Sequence, residues 1–219
     1  MIGIRLAALA IGYLFGTFQT GYIYGKCRGI DIREHGSGNA GTTNTLRTLG
    51  WKAGLITFLG DSFKAIFAVI AVGLLFGDKY PETIKLLELY AGFGTVLGHN
   101  FPFYLKFKGG KGIACTAGVI LAVCPMAVPL CIIVFAGAVL ITRYVSLGSI
   151  LVVSIFFIQS VIFSYAGFIN LKNPYLIEFN VLVFCFTMMG IWRHRANIKR
   201  LLTGTENKTN LRKIGKKKD

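Results

Sequence analysis

Residues 36–47, GSGNAGTTNTLR, crowd Ser37, Asn39, Thr42, Thr43, Asn44 and Arg47 among glycines at 36, 38 and 41. Glycine lets the backbone take positive φ and approach an anion, so amides, hydroxyls and a guanidinium in one loop can surround phosphate oxygens. A helix starting near Thr43 adds its N-terminal N–H groups to the same field. Residues 98–112, GHNFPFYLKFKGGKG, repeat that chemistry, with His99 and Asn100 ahead of Lys106 and Lys108, and Gly109-Gly110-Lys111-Gly112 leading into an apolar run. A Walker A loop needs Ser or Thr after its lysine, where this chain has Gly112, which argues against nucleotide hydrolysis. A third stretch, RYVSLGS at 143–149, offers Arg143, Ser146 and Ser149. Near the end, WRHRANIKRL sets His194 and Asn197 three residues apart, on one face of a continuing helix. Each has a plainer reading as a helix-capping loop, as loop charges beside a membrane, or as a basic helix on anionic lipid. That plainer reading fits Lys106 and Lys108 as well as phosphate binding does, but it explains His194 and Asn197 poorly.

The elements that hold these loops are apolar. The chain is 54% hydrophobic and 15% charged, with mean hydropathy +0.62 over 219 residues. Its apolar runs approach the roughly 20 residues that cross a bilayer core. Polar stretches in such a chain are expensive in lipid, so they are where function is sought. The formal charge of +15 would suit nucleic acid in a soluble protein, but the positive-inside rule accounts for it here. Lys and Arg follow the runs 4–24, 86–97 and 179–191 and sit between the runs that end at 141 and begin at 151. Nineteen of the 24 then fall on one side, with Arg5, Lys79, Lys85 and Lys172 on the other and Lys64 inside a span.

The predicted fold is an all-α integral membrane protein of about seven transmembrane helices, N-terminus outside and C-terminus cytoplasmic. The run 112–141 is too long for one span, and Cys124-Pro125 with Pro129 breaks it into a hairpin. Residues 1–206 form a single membrane-embedded domain and 207–219 a basic tail. The N-terminal run lacks a basic n-region and a clean cleavage site, and is read as a retained first span. Asp61 and Lys64 lie one helical turn apart inside the second run and are expected to pair as a structural intramembrane pair, with Glu88 able to join them. Cys27, Cys115, Cys124, Cys131 and Cys185 show no metal-ligand spacing and read as small hydrophobic residues.

GSGNAGTTNTLR, GHNFPFYLKFKGGKGIA, RYVSLGS and WRHRANIKRLLTGTE together resemble, in order, the motifs of the bacterial acyl-phosphate:glycerol-3-phosphate acyltransferases, the PlsY family. The resemblance runs from about residue 10 to 206. It implies a seven-helix enzyme of the bacterial inner (plasma) membrane with its active site on the cytoplasmic side. Such an enzyme moves a fatty acyl chain from acyl phosphate to the 1-hydroxyl of sn-glycerol 3-phosphate, giving lysophosphatidic acid and phosphate at the start of phospholipid synthesis. It also implies catalytic roles for Ser37, His99, His194 and Asn197. Phosphate binding falls to Asn39, Thr43, Asn44, Arg47, Lys108, Gly109, Gly110, Lys111 and Ser146.

Acyl phosphate arrives activated, so neither a protein nucleophile nor a metal is required, and no cofactor is expected. The acceptor proton can go to His194, to His99 or to a substrate phosphate oxygen, which the resemblance favours. Ser37 as a covalent carrier is the less favoured route. No histidine has an acid five residues on, as CoA-dependent acyltransferases require, and no carboxylate cluster suits the magnesium ions of a CDP-alcohol phosphotransferase. The expected partners are the two small-molecule substrates and membrane lipid, with no nucleic acid; the oligomeric state, a monomer included, is open. The rival from another class is a carrier of small phosphorylated or organic anions. A purely structural membrane subunit fits three anion-suited loops least.

Overall fold

The computed structural model describes residues 1–209, and among these it contains ten α-helices and no strand. The lysine-rich end assigned to the tail, residues 210–219, lies outside the described residues. The helices are α1 Ile2–Thr17, α2 Thr20–Cys27, α3 Thr42–Leu49, α4 Trp51–Phe76, α5 Ile84–Asn100, α6 Ile113–Val123, α7 Val128–Thr142, α8 Val145–Tyr165, α9 Tyr175–Arg193 and α10 Arg195–Leu202. Five helical segments are long and apolar enough to cross a bilayer: α1 with α2, α4, α7 with the preceding turn, α8 and α9. Large apolar side chains such as Leu74, Leu140 and Ile141 point outward, which lipid rather than water makes favourable.

Helix α5 is longer than the apolar run 86–97, because Gly98, His99 and Asn100 continue it. The break at Cys124-Pro125 is a short 3₁₀ turn, Pro125–Ala127, and it folds α6 and α7 into the expected hairpin. Two boundaries differ from expectation. The first run does not form one helix: Phe18 takes φ −64° and ψ 107°, splitting α1 from α2. The freed Phe18 carbonyl accepts from Lys64 Nζ at 2.5 Å, and buried Gln19 donates to the carbonyls of Gly16 and His99, so polar groups deep in the bundle sustain the break. Ser146 and Ser149 do not lie in a loop but on the first turns of α8, where they aim into the bundle.

Glycine sets the closest helix contact. A Cβ on Gly94 or Gly98 of α5 would stand 2.1 Å from the carbonyl oxygens of Leu9 or Tyr13, while one on Gly12 or Gly16 of α1 would strike the carbonyls of Ala91 or Thr95. Two backbones pressed together without side chains is the small-residue packing that holds helices in lipid. The main core lies between α4, α5, α6, α8 and α9 around Val119, Phe156, Phe179 and Val183. Arg5, Tyr90 and Glu178 tie α1, α5 and α9 together, with Arg5 Nε 2.5 Å and Tyr90 Oη 2.8 Å from Glu178 Oε1. Within this packing, residues of the three polar stretches and of the tail come around one cavity.

Candidate active site

The loop 36–47 is held from inside by Asn44. Its Oδ1 accepts from the Ser37 amide at 2.8 Å, and its Nδ2 donates to the carbonyls of Ile32 and His35 at 3.0 and 2.9 Å. Gly36, at φ +61°, leaves the space that Oδ1 fills; a Cβ there would lie 2.3 Å from it. Expected as a phosphate ligand, Asn44 instead spends its hydrogen bonds on shaping the loop, and so presents Ser37, Asn39, Thr43 and Arg47 to a cavity. The Thr42 hydroxyl, one of those the first stretch offers to an anion, is buried at that cavity with no hydrogen-bond partner among the described residues.

The second stretch is arranged differently from expectation. The amides of Gly109 and Gly110 donate to the carbonyls of Asn100 and His99 at 3.2 and 3.1 Å, so they do not form an anion cradle. Their value is steric, since a Cβ on Gly110 would stand 2.0 Å from His99 Nε2. The carbonyls of Gly109 and Gly110 accept from Arg193 Nη2 at 3.1 and 2.5 Å, clamping the loop to the end of α9. Lys108 is exposed and does not line the cavity. Lys111 does, and its ammonium donates to Asn197 Oδ1.

Ser37, Asn39, Thr43, Asn44, Arg47, His99, Lys111, Ser146, His194 and Asn197 all border this one cavity of about 540 Å³. Arg193, Arg200 and Glu206, read from sequence only as tail charge or passed over, border it as well. The buried Glu206 carboxylate accepts from Ser146 Oγ at 3.1 Å, Asn197 Nδ2 at 2.8 Å and Arg200 Nε at 2.7 Å, tying the third stretch to the tail. An acid in the midst of a basic segment was the available signal. Burial pushes the Glu206 carboxyl up, but these donors outweigh it and hold it below the ordinary glutamate value.

The same environment acts oppositely on the bases. Burial pushes Lys111 down to about 8, opposed by Glu206 and reinforced by Arg200, Arg193 and Arg47. Burial, with the Lys111 ammonium next, pushes His194 down to about 4. His194 sits between α9 and α10, and its Nδ1 lies 2.8 Å from the Gly190 carbonyl oxygen. A carbonyl only accepts, so Nδ1 carries the proton and Nε2 keeps its lone pair.

Beneath the cavity, Asp61 and Lys64 of α4 pair at 2.9 Å. Glu88 does not join them; it pairs with Lys85 at 2.9 Å. His99 takes the place offered to Glu88, with Nδ1 2.9 Å from Lys64 Nζ. Ligand-type atoms of Asp61, His99 and Cys115 lie within 4.8 Å of one another, but the Lys64 ammonium bonds to two of the three residues, and its charge opposes a metal cation there.

From the polar end the cavity runs between apolar stripes: Ile113, Ala117 and Ile120 on α6; Val128, Cys131, Ile132 and Phe135 on α7; Val145 and Val152 on α8. A pocket that joins anion ligands to an apolar trough suits an amphiphile with a phosphate near one end.

Comparison with known proteins agrees. A family model described as glycerol-3-phosphate acyltransferase matches residues 6–204. Proteins named glycerol-3-phosphate acyltransferase from Clostridioides difficile (strain 630) and Bacillus subtilis (strain 168) are 44% and 42% identical, covering 95% and 91% of this chain and 95% of each relative. A crystal structure of PlsY, described as an integral membrane glycerol 3-phosphate acyltransferase in its glycerol 3-phosphate form, superposes with TM-score 0.80 at 32% identity, covering 96% of this chain and 98% of that one. A lysophosphatidic acid form of the same enzyme superposes with TM-score 0.78. The chain belongs to the glycerol-3-phosphate acyltransferases, a family of helical integral membrane enzymes.

Proposed function

We propose that the protein transfers an acyl chain from acyl phosphate to the 1-hydroxyl of sn-glycerol 3-phosphate, directly and without a metal, at a site facing the cytoplasm of a bacterial cell. The carrying observation is a single cavity in which Arg47, Lys111, Arg193 and Arg200 meet a trough of α6, α7 and α8 side chains. The cationic end suits two phosphates that repel each other, and the trough suits an acyl chain that enters from the membrane.

In the reaction the acceptor hydroxyl oxygen bonds to the acyl carbonyl carbon and the carbon–oxygen bond to phosphate breaks. The hydroxyl proton passes to a phosphate oxygen. His194, held near 4, is a weak base at neutral pH, and its Nε2 lone pair instead accepts a hydrogen bond that orients the acceptor. Ser37 has no hydrogen bond to a base among the described residues, which favours direct transfer over an acyl-serine. Lys111 and Arg47 supply positive charge to the phosphates, and Thr42, Thr43 and Asn39 supply neutral donors.

Seven passes, formed by α1 with α2, then α4 to α9, with the N-terminus outside, put the three polar stretches and 14 of the 19 Lys and Arg residues among the described residues on the cytoplasmic side. Lysophosphatidic acid formed from palmitoyl phosphate and glycerol 3-phosphate by purified protein in excess chelator is the expected result. Chelator-sensitive synthesis would reject the metal-free step. Uptake of labelled glycerol 3-phosphate into sealed vesicles without ester formation would support an anion carrier instead.

A further inference from the structure

His99 lies at the end of α5, buried, and its two ring nitrogens face different worlds. Nδ1 faces Lys64 Nζ at 2.9 Å, and that ammonium also donates to Phe18 O at 2.5 Å and Asp61 Oδ1 at 2.9 Å. An ammonium has three protons, and here there are three acceptors, so His99 Nδ1 must offer a lone pair. The remaining proton of a neutral ring is then on Nε2, which borders the cavity next to Gly110 and makes no hydrogen bond within the described protein. His194 has the opposite arrangement, with its proton held on Nδ1 by the Gly190 carbonyl.

We propose that Lys64 is a positioning residue that fixes His99 as a neutral Nε2–H donor aimed at a substrate oxygen, so that the two cavity histidines work in opposite tautomers. His99 gives a hydrogen bond where His194 accepts one. The charged and titratable groups around His99 are Asp61 and Lys64 from α4, Cys115 from α6 and Arg193 from α9. The α1–α2 junction contributes only the Gln19 amide, which binds the His99 carbonyl.

Asp61 explains why a lysine must stand between. Its Oδ1 is 3.7 Å from His99 Nδ1. Without the ammonium, the carboxylate would draw the imidazole proton to Nδ1 and leave Nε2 a bare acceptor, the wrong polarity for binding a phosphate or carbonyl oxygen.

The tautomer is independent of the acyl-transfer reading; its catalytic consequence rests on that reading. The first test is therefore spectroscopic: nitrogen NMR of the wild-type protein labelled in its three histidines, with His99→Gln and His194→Gln to assign them. A pyridine-type Nδ1 and pyrrole-type Nε2 for His99, with the reverse for His194, is the expected result between about pH 6 and about pH 8. A His99 that carries its proton on Nδ1, or becomes doubly protonated in that range, overturns the proposal whatever the enzyme's substrates prove to be.

The second test reads acyl transfer and the His99 tautomer in Lys64→Met and Lys64→Arg relative to wild type. Lys64→Met should lose roughly tenfold or more in kcat/KM and carry the His99 proton on Nδ1 in the same nitrogen spectra. Lys64→Arg should recover most of the loss. A loss of activity with the His99 proton still on Nε2 would mean that Lys64 only supports packing, and would overturn the positioning role.

Discussion

At the level of single residues, the site is made by side chains whose environment changes what they can do. Lys111 is the clearest case. With its ammonium held near 8, it is charged at neutral pH and loses its proton as the pH rises past that point. The phosphate of the acceptor is already a dianion there, its second ionisation lying near pH 6. Affinity for glycerol 3-phosphate should therefore fall as pH rises through about 8, seen as a rise in KM; in Lys111→Met the KM should be high throughout and the rise gone. Gly110→Ala tests the steric role of the glycine pair. Its Cβ would stand 2.0 Å from His99 Nε2, so turnover should drop by roughly a hundredfold while the protein stays folded, because a misplaced donor costs on that order. Wild-type turnover in Gly110→Ala would show that His99 can move without consequence.

Residue types and spacing made Arg47 and Lys111 legible as candidates, being cations set among glycines, and His194 with Asn197 as a polar pair on one helical face. They did not separate ligands from supports. Asn44 and Ser37 stand in one motif and both border the cavity, yet Asn44 commits its side chain to its own loop while the Ser37 hydroxyl makes no hydrogen bond among the described residues. Glu206 was hidden because a carboxylate in an anion site contradicts simple charge matching; its use is to organise Ser146, Asn197 and Arg200. Arg193 was masked by the positive-inside charge around it.

At the level of elements, α5 carries the site through its contact with α1. Gly94 and Gly98 bring it onto the Leu9 and Tyr13 carbonyls, and His99 follows immediately. A larger residue there meets backbone, which cannot swing aside. Gly98→Val should thus destabilise the protein by about 1–3 kcal/mol or more. It should also depress turnover beyond that loss, since His99 moves with the helix. Thermal unfolding in detergent alongside kinetics checks both, and an unchanged midpoint would show that α1 and α5 are free to separate.

Hydrophobic runs, charge bias and prolines located these helices, including the α6–α7 hairpin. The break between α1 and α2 was not legible. Its local sequence, Thr17-Phe18-Gln19, contains neither proline nor glycine, and what sustains it is distant: the Lys64 ammonium on the Phe18 carbonyl. Such tertiary compensation leaves no trace in hydrophobic periodicity.

For the whole molecule, the claim is orientation: an end rich in Lys and Arg, holding the cavity mouth, inside the cell. Cys27 gives a direct check, because it is exposed at the end of α2 while Cys115, Cys124 and Cys131 are buried. A membrane-impermeant thiol reagent should label Cys27 in inside-out vesicles and leave it unlabelled in intact spheroplasts, with Cys27→Ser as the control. Labelling from outside would invert the topology and move the cavity to the wrong side for a cytoplasmic substrate.

The central claim, that this cavity joins an activated acyl donor to a phosphorylated alcohol, is tested most directly by phosphate release from palmitoyl phosphate in purified protein. The assay is run with and without glycerol 3-phosphate, and with palmitoyl-CoA as the competing donor. Phosphate should be released only when the acceptor is present, in equal amount to the lysophosphatidic acid formed, with no product from the CoA ester. Product from palmitoyl-CoA, or phosphate release indifferent to the acceptor, would contradict that claim.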